Sequence, residues 1–260
     1  MEREAADQLC RESGNWLSRG RRNLAESLLE VYPPPPGDCL EIGAGSGYFL
    51  DILGTHGALD VIEVNPEALG RLRQRAKLIR TIYDTGIPDL NTERCYSLVA
   101  GFDVIEHIDN DRGALQWIAD HTLPGAIIIL TAPAYQWMFS DHDIANQHFR
   151  RYTRNSLVNR FPDVIEPVFA GYFNMTLFPF ALASRLLWMA KKHLRPLPQP
   201  QHSTHYVTRK QSSDVPKIID WTFGKVLKME SALVKSGLRL PYGLSVVSIA
   251  RRVPTSGRNE

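Results

Sequence analysis

Residues 38–53 read DCLEIGAGSGYFLDIL, and this stretch decides the fold class. Residues 38–42 form a short apolar run, which predicts a buried strand. Gly43, Gly45 and Gly47 follow at alternate positions, and residues 48–53 resume with a helix-like pattern. Glycines between a strand and a helix let backbone N–H groups come close to a bound ligand. The stretch therefore predicts a ligand-binding loop between a strand and a helix.

The alternation of strands and helices continues on the carboxyl side of this loop. Short connections between alternating elements indicate a parallel, doubly wound sheet. We predict an α/β, Rossmann-like fold with a seven-stranded, mostly parallel sheet and an α-helical lid inserted before the last strand. Further strands are predicted at 58–64, 78–83, 96–104, 126–130 and 244–250, and helices at 67–76 and 110–122.

Changes in composition divide the chain into five predicted segments. The prolines at 33–36 end a first helical region, and the regular alternation fails after about residue 173. The segments are an N-terminal helical segment with a proline linker at 1–37, a cofactor-binding core at 38–172, a helical insertion at 173–240, the last core strand at 241–253 and a disordered tail at 254–260.

The composition excludes several classes of protein. The 260 residues are 43% hydrophobic and 22% charged, which fits a globular protein rather than a disordered one. A net charge of +2 is far below the strongly basic charge of typical nucleic-acid-binding domains, so no nucleic-acid partner is expected. Cys10, Cys39 and Cys95 contain no CxxC pair, which disfavours structural zinc. No secretory signal and no run of 18 apolar residues is visible, so we expect a cytoplasmic protein.

Two carboxylates beside the glycine loop indicate which nucleotide cofactor binds there. The dinucleotide fingerprint G-x-G-x-x-G requires glycine at position 48, which is Tyr48. Glu41 precedes the first glycine by two residues and would repel a pyrophosphate, whereas it suits a cationic amino group. Glu63 ends the next strand and can accept hydrogen bonds from ribose hydroxyls. An NAD-dependent oxidoreductase is therefore the less favoured alternative.

These motifs together resemble class I S-adenosylmethionine-dependent methyltransferases. The resemblance rests on LEIGAGSGYFL at 40–50, on Glu63, on Asp84 and on FDVIEHI at 102–108. The last motif is similar to the branch that includes the ubiquinone-biosynthesis O-methyltransferases. The resemblance implies that S-adenosylmethionine is bound through its methionine part by Glu41, Gly43, Gly45 and Gly47, through its ribose by Glu63, through its adenine by Asp84, and on the substrate side by Asp103.

The resemblance also raises the question of a metal. Some ubiquinone-type relatives carry an ExxEH motif and depend on a metal ion. In this sequence Asp103, Glu106 and His107 form DxxEH, an oxygen and nitrogen set suited to a divalent cation. The alternative is that no metal binds and that His107 packs against or caps the helix that follows.

The segment after the predicted fifth strand is rich in candidate acceptor-binding and catalytic residues. His142 and His148 are candidate general bases, together with His107, because the pKa of histidine lies near neutral pH. Its pattern HD…HFRRYT resembles a large bacterial group of class I methyltransferases. The alternative is a polar surface loop. For the acceptor we predict aromatic contacts from Tyr135, Trp137 and Tyr152, and binding of an anionic group by Arg150 and Arg151.

Residues 175–190, MTLFPFALASRLLWMA, form an apolar insertion that precedes a basic cluster. One interpretation is a helix lying in a membrane interface, which would give peripheral membrane contact through 175–195. The other is a lid or homodimer helix buried against a helix at 217–234, and this is the interpretation we favour. Both place the insertion over the mouth of the acceptor site.

The sequence as a whole predicts a methyltransferase that acts on oxygen of an apolar small-molecule or lipid-like acceptor. Transfer is expected to be direct and in line, with a histidine as general base. The alternatives are the NAD-dependent oxidoreductase and a non-catalytic subunit that binds the cofactor and supports a partner. A nucleic-acid methyltransferase is disfavoured, because no NPPY-type motif is present.

Overall fold

The computed structural model describes residues 16–194 and 216–254, and the side chains of all of these except 188–194. The predicted extremities at 1–15 and 255–260 and the stretch 195–215 lie outside the described residues. Seven strands form one sheet in the order β3-β2-β1-β4-β5-β7-β6. They are β1 Cys39–Ile42, β2 Leu59–Ile62, β3 Thr81–Tyr83, β4 Tyr96–Phe102, β5 Thr122–Pro133, β6 Ile165–Phe173 and β7 Ser245–Arg252.

The predicted Rossmann-like, mostly parallel sheet is confirmed. β1 to β5 pair in parallel, and only β7 runs antiparallel to its neighbours β5 and β6. The described α-helices are α1 Trp16–Val31, α2 Leu50–Leu53, α3 Pro66–Gln74, α4 Asp111–Asp120, α5 Asp141–Ala145, α6 Arg154–Val158, α7 Phe178–Leu194 and α8 Lys217–Lys235.

The fifth strand is longer than predicted, because Pro124 and Gly125 do not interrupt it. β5 begins at Thr122, and its pairing with β4 shifts register between Tyr96–Thr122 and Leu98–Ile127. Such an irregularity accommodates extra residues without ending the strand, and Gly125 provides a left-handed φ of 82° within it. Proline and glycine therefore mark a bulge here rather than a turn.

Helix α8 packs along α1 and contacts the start of the apolar insertion. The rings of Trp16 and Phe223 pack at a tilt with centroids 5.2 Å apart, and a Cβ at Gly20 would lie 2.3 Å from Leu227 Cδ1. The predicted packing of residues 175–190 against 217–234 is found at the start of the insertion, where Met175 N and Thr176 N donate to Glu230 of α8 at 3.0 Å and 2.8 Å. Phe180 and Leu187 of α7 remain 67% and 65% exposed. Within the described part of the chain, no helix is long and apolar enough to span a bilayer.

The antiparallel β7 brings the chain back to the edge of the sheet where β1, β2, β4 and β5 end. Ser245, the first residue of β7, pairs with Pro133 at the end of β5 and with Phe173 at the end of β6. The segment 174–244 therefore leaves the sheet and rejoins it at the same edge. This is the edge at which open α/β sheets bind ligands.

Candidate functional site

The three glycines of the loop serve two different purposes. All three have left-handed backbones, with φ of 68°, 54° and 76° at Gly43, Gly45 and Gly47. A Cβ at Gly43 would lie 2.6 Å from Val104 Cγ2, and one at Gly47 would lie 2.6 Å from Leu50 Cδ1. A Cβ at Gly45 would meet no atom within 4 Å. Gly43 and Gly47 thus allow close packing, whereas Gly45 presents bare backbone to an open space.

Glu63 joins the glycine loop to the end of β2. Its Oε2 accepts a hydrogen bond from Gly45 N and its Oε1 accepts one from Asn65 N, both at 2.7 Å. Asn65 in turn caps α3, because its side chain accepts from Glu67 N at 2.9 Å. The carboxylate is held beside the loop in the position where the sequence predicts contact with the ribose.

Glu41 is a buried acid whose Oε2 has no hydrogen-bond partner among the described residues. Burial, followed by the negative charges of Glu63 and Asp51, raises the pKa of Glu41 to about 8. A cationic group beside it would relieve both the burial and the repulsion. The site therefore fits the amino group of the methionine part of S-adenosylmethionine.

The other two predicted cofactor residues lie at the same edge in different surroundings. Asp84 is exposed and directly follows β3. Asp103 follows β4 with a left-handed φ of 53°, and its N–H donates to Thr131 O at 3.1 Å. Its Oδ1 accepts from Thr131 Oγ1 at 3.1 Å, and its Oδ2 forms an ion pair with Arg21 of α1. Asp103 thus connects α1 to the predicted cofactor edge.

The group of possible metal ligands in the structure differs by one residue from the set predicted from the sequence. Glu106, His107 and His148 each offer a ligand atom, and these atoms lie within 4.8 Å of one another. Asp103 does not belong to this group, because Thr131 and Arg21 engage its carboxylate. His148 is brought in by a backbone hydrogen bond from Phe149 N to Glu106 O at 2.8 Å. We refer to Glu106, His107 and His148 as the Glu-His-His cluster.

Glu106 and His107 both have perturbed surroundings. Glu106 is fully buried, and burial together with the charge of Asp103 raises its pKa well above the usual range for glutamate. The His107 ring lies edge-on to the His148 ring, with centroids 4.5 Å apart. Although His107 keeps part of its surface exposed, desolvation and then the neighbouring His148 lower its pKa.

His148 is oriented by Asp143, a residue that the sequence reasoning missed. Asp143 is fully buried, and its Oδ1 lies 3.0 Å from His148 Nδ1 and accepts from Arg151 Nε at 2.7 Å. Its Oδ2 accepts from Ser140 N at 2.8 Å. Burial alone would raise the pKa of Asp143, but the bonds from His148 and Arg151 hold it well below the usual range. An ionised Asp143 fixes the proton of His148 on Nδ1 and leaves Nε2 as an acceptor.

His142 lies apart from the other two predicted bases. It is exposed, and its Nδ1 lies 2.9 Å from Nδ2 of Asn146, the residue that follows the short helix α5. The capping box between Ser140 and Asp143 sets this arrangement, because it turns Asp143 inward and leaves His142 facing solvent. The Ser140-x-x-Asp143 spacing is the sequence signal that could have pointed to Asp143.

Three predicted acceptor-binding residues are bonded to buried acids. Arg151 is paired with Asp143, and Arg150 Nη1 lies 2.9 Å from Asp111 Oδ2. The ring of Tyr152 is buried, and its hydroxyl donates to Asp111 Oδ2 at 2.8 Å. Asp111 and Asp143 thus bind the two arginines and the tyrosine that the sequence predicts to contact the acceptor.

Tyr135 and Trp137 do lie in a setting suited to an apolar acceptor. The Tyr135 ring is 5.2 Å from Tyr172, 5.5 Å from Phe178 and 5.7 Å from Trp137, measured between centroids. Phe178 is also 5.2 Å from Tyr242. We call these five residues the aromatic cluster. Tyr172, Phe178 and Tyr242 could not be selected from the sequence, because they come from β6, α7 and the approach to β7.

This chain matches one known protein family and is similar to several solved structures. Residues 16–164 match the family described as a methyltransferase domain. A Haloferax volcanii complex of the Trm112 methyltransferase activator with a methyltransferase matches at 14% identity and a TM-score of 0.57, over 97% of this chain and 96% of that chain. No match is found among curated proteins.

Two further solved structures share the fold. One is a sarcosine dimethylglycine methyltransferase from Galdieria sulphuraria, with 14% identity, a TM-score of 0.55, and coverage of 91% of this chain and 85% of that one. The other is the plantazolicin methyltransferase BpumL in complex with S-adenosylhomocysteine, with 11% identity, a TM-score of 0.56 and coverage of 95% and 90%. The family match spans more than half of the sequence and coincides with the glycine loop, Glu63 and the Glu41 site, so the chain belongs to the methyltransferase-domain family and uses S-adenosylmethionine as its cofactor.

Proposed function

We propose that this protein transfers the methyl group of S-adenosylmethionine to a hydroxyl oxygen of an apolar small-molecule or lipid-like acceptor. The Glu-His-His cluster is the place where that hydroxyl is activated. The observation that carries the proposal is the pair formed by Asp143 and His148, which leaves His148 Nε2 free to act beside the predicted cofactor edge.

The chemistry of methyl transfer explains why one oriented imidazole matters. The methyl group of a sulfonium ion is already electrophilic, so the protein must align the acceptor, exclude water and help a hydroxyl to lose its proton. His148 meets the last requirement, because Asp143 holds its ring and sets its tautomer. The exposed His142 has no comparable partner. Of the three candidate bases, we therefore favour His148, whose ring contacts that of His107.

The aromatic cluster supports an apolar acceptor. Its rings come from the segment after β5, from β6 and from the segment 174–244, and Trp137 is 52% exposed. Phe178 begins α7, whose Phe180, Leu186 and Leu187 are also exposed. An acceptor with an aromatic or aliphatic body would bury apolar surface here. The same exposed residues of α7 are compatible with delivery from a lipid surface.

The test compares His148→Ala with His142→Ala, a matched change at an exposed histidine. Single-turnover transfer from labelled S-adenosylmethionine is measured on a panel of phenols, catechols and long-chain alcohols, with the corresponding amines as a second panel. We expect His148→Ala to slow transfer by about 10²–10⁴-fold and His142→Ala to have little effect. Cofactor affinity is expected to stay unchanged in both variants.

Two outcomes would contradict the proposal. Transfer only to the amines would show that oxygen is not the acceptor atom. Equal rates for His148→Ala and the unmodified protein on every hydroxyl acceptor would show that the cluster does not activate the acceptor.

A further inference from the structure

We propose that Glu106, His107 and His148 bind a divalent transition-metal cation. The inference deepens the proposed function, on which it rests for the position of the acceptor. It differs from the set predicted from the sequence, since His148 stands in the place given there to Asp103.

The three side chains form a donor set of a recognisable type. One carboxylate and two imidazoles converge so that their ligand atoms lie within 4.8 Å of one another. Two histidines and one carboxylate suit zinc, manganese, iron or cobalt better than magnesium or calcium, which prefer oxygen ligands. Three protein ligands leave coordination positions open, so an acceptor hydroxyl can bind as well.

Glu106 provides an independent observation that a ligand is needed. Its side chain is 0% exposed, and neither carboxylate oxygen has a hydrogen-bond partner among the described residues. A buried carboxylate without a partner costs free energy, because it loses its hydration and gains nothing in return. A cation bound between Glu106 and the two imidazoles would supply the missing partner.

The surroundings of His148 match those of a metal-binding histidine. Ligating histidines almost always give their second ring N–H to a carboxylate or carbonyl, which fixes the ring and raises its basicity. Asp143 provides this contact at 3.0 Å from His148 Nδ1, and Arg151 and Ser140 hold Asp143 in place. His148 Nε2 is therefore the nitrogen presented to the cation.

The two arginines whose charges act on Glu106 each have an acidic partner of their own. Arg21 is paired with Asp103, and Arg151 is paired with Asp143. With a cation bound, His148 Nε2 would be a ligand rather than the base; the cation would lower the pKa of a bound acceptor hydroxyl, whose proton would pass to solvent water, and would hold the oxygen for transfer. Without a cation, His148 Nε2 would take the proton directly.

Cobalt provides a direct probe of the ligands that does not depend on turnover. The full chain, carrying Cys95→Ser to remove an exposed thiol, is treated with chelator, dialysed and titrated with Co²⁺. We expect visible absorption bands that saturate at one equivalent, with the same stoichiometry for Zn²⁺ by calorimetry. Glu106→Gln and His148→Ala should weaken binding by at least the roughly 10–100-fold that the loss of an outer-shell partner costs. His142→Ala is the matched control and should bind normally.

The results separate the cation from the proposed function. The cation site is overturned if Co²⁺ gives no saturable bands, or if His142→Ala weakens binding as much as His148→Ala. The proposed function survives this result if transfer to hydroxyls still requires His148. Saturable Co²⁺ binding that depends on Glu106 and His148, combined with hydroxyl transfer that does not depend on His148, supports the cation site and overturns the proposed function instead. Circular dichroism of each variant identifies a loss of fold.

Discussion

At the scale of single residues, Gly45 shows how a loop can be shaped for a ligand rather than for packing. Its φ of 54° favours glycine, yet no neighbouring atom would obstruct a side chain. The backbone N–H of Gly45 points to Glu63, with which it forms a hydrogen bond of 2.7 Å. The open space beside Gly45 therefore lies next to the carboxylate that is predicted to contact the ribose.

Replacing Gly45 with aspartate should abolish cofactor binding, because the new side chain adds bulk and negative charge to that space. The control is Gly237→Asp, since Gly237 at the end of α8 also has a left-handed φ, of 85°, and open surroundings. Both changes should cost roughly 1–3 kcal/mol of backbone strain. Calorimetry with S-adenosylhomocysteine should show binding by the Gly237 variant alone, and equal binding by both would contradict the role of Gly45.

The sequence is informative where a function depends on neighbours along the chain. Glu41, the three glycines and Glu63 could be selected because they border one strand–loop–helix unit. The partnership of Glu106 with His148 could not, because it depends on how the segment after β5 folds back to the end of β4. The sequence likewise cannot show that Arg150 pairs with Asp111 and Arg151 with Asp143, because these acids become neighbours of the arginines only in the folded chain.

At the scale of elements, the close packing of α1 on α8 depends on the lack of a side chain at Gly20. Gly20 of α1 faces Leu227 of α8, and Arg19 bonds to Asp220 at 2.6 Å. Apolar periodicity predicted both helices, but not that they pack on each other. Gly20 leaves room for Leu227 of α8, and a pattern of apolar residues does not show such a fit between two helices.

A pair of identical substitutions tests this contact. Gly20→Ala should lower the free energy of unfolding by about 1–3 kcal/mol, because the new Cβ would lie 2.3 Å from Leu227 Cδ1 and 2.8 Å from Leu227 Cβ. Gly70→Ala in α3 meets no atom within 4 Å and should raise it by about 0.5–1 kcal/mol. Denaturant unfolding measures both, and a stabilised Gly20 variant would show that α1 and α8 do not pack this closely.

At the scale of the whole molecule, a buried ionic group ties three strands of the sheet together. Asp60 of β2 is fully buried, and it accepts bonds from Arg80 at 2.6 Å and 2.8 Å and from the Tyr96 hydroxyl of β4 at 3.0 Å. Arg80 also pairs with Asp38, just before β1. Burial alone would raise the pKa of Asp60, but the bonds from Arg80 and its neighbours leave it below the usual value.

The lowered pKa of Asp60 predicts a specific sensitivity to acid. A carboxylate whose pKa is lower in the folded state stabilises the protein above its unfolded pKa of about 3.9, and this contribution is lost as pH falls through the folded pKa. Asp60→Asn should lower the free energy of unfolding by about 1–3 kcal/mol at neutral pH, because Arg80 and the Tyr96 hydroxyl lose a buried charged acceptor, although Arg80 keeps Asp38. The difference from the unmodified protein should shrink below about pH 4.

Arg94 provides the control for this experiment. It is a more exposed partner of Asp60, at 3.5 Å, so Arg94→Ala should cost no more than about 1 kcal/mol. Thermal unfolding across pH gives both profiles. Equal losses for Asp60→Asn and Arg94→Ala would show that the buried group does not hold the strands together.

The reversed direction of β7 has an evolutionary consequence. Because residues 174–244 depart from and rejoin the sheet beside Ser245, they behave as a cassette with adjacent ends. Changes of sequence or length within this cassette that keep the contact of α8 with α1 should leave the order of the seven strands unchanged. The glycine loop, Glu41 and Glu63 lie outside it. If the aromatic cluster binds the acceptor, as we propose, changes in the cassette can alter the acceptor while the residues around the methyl donor stay constant.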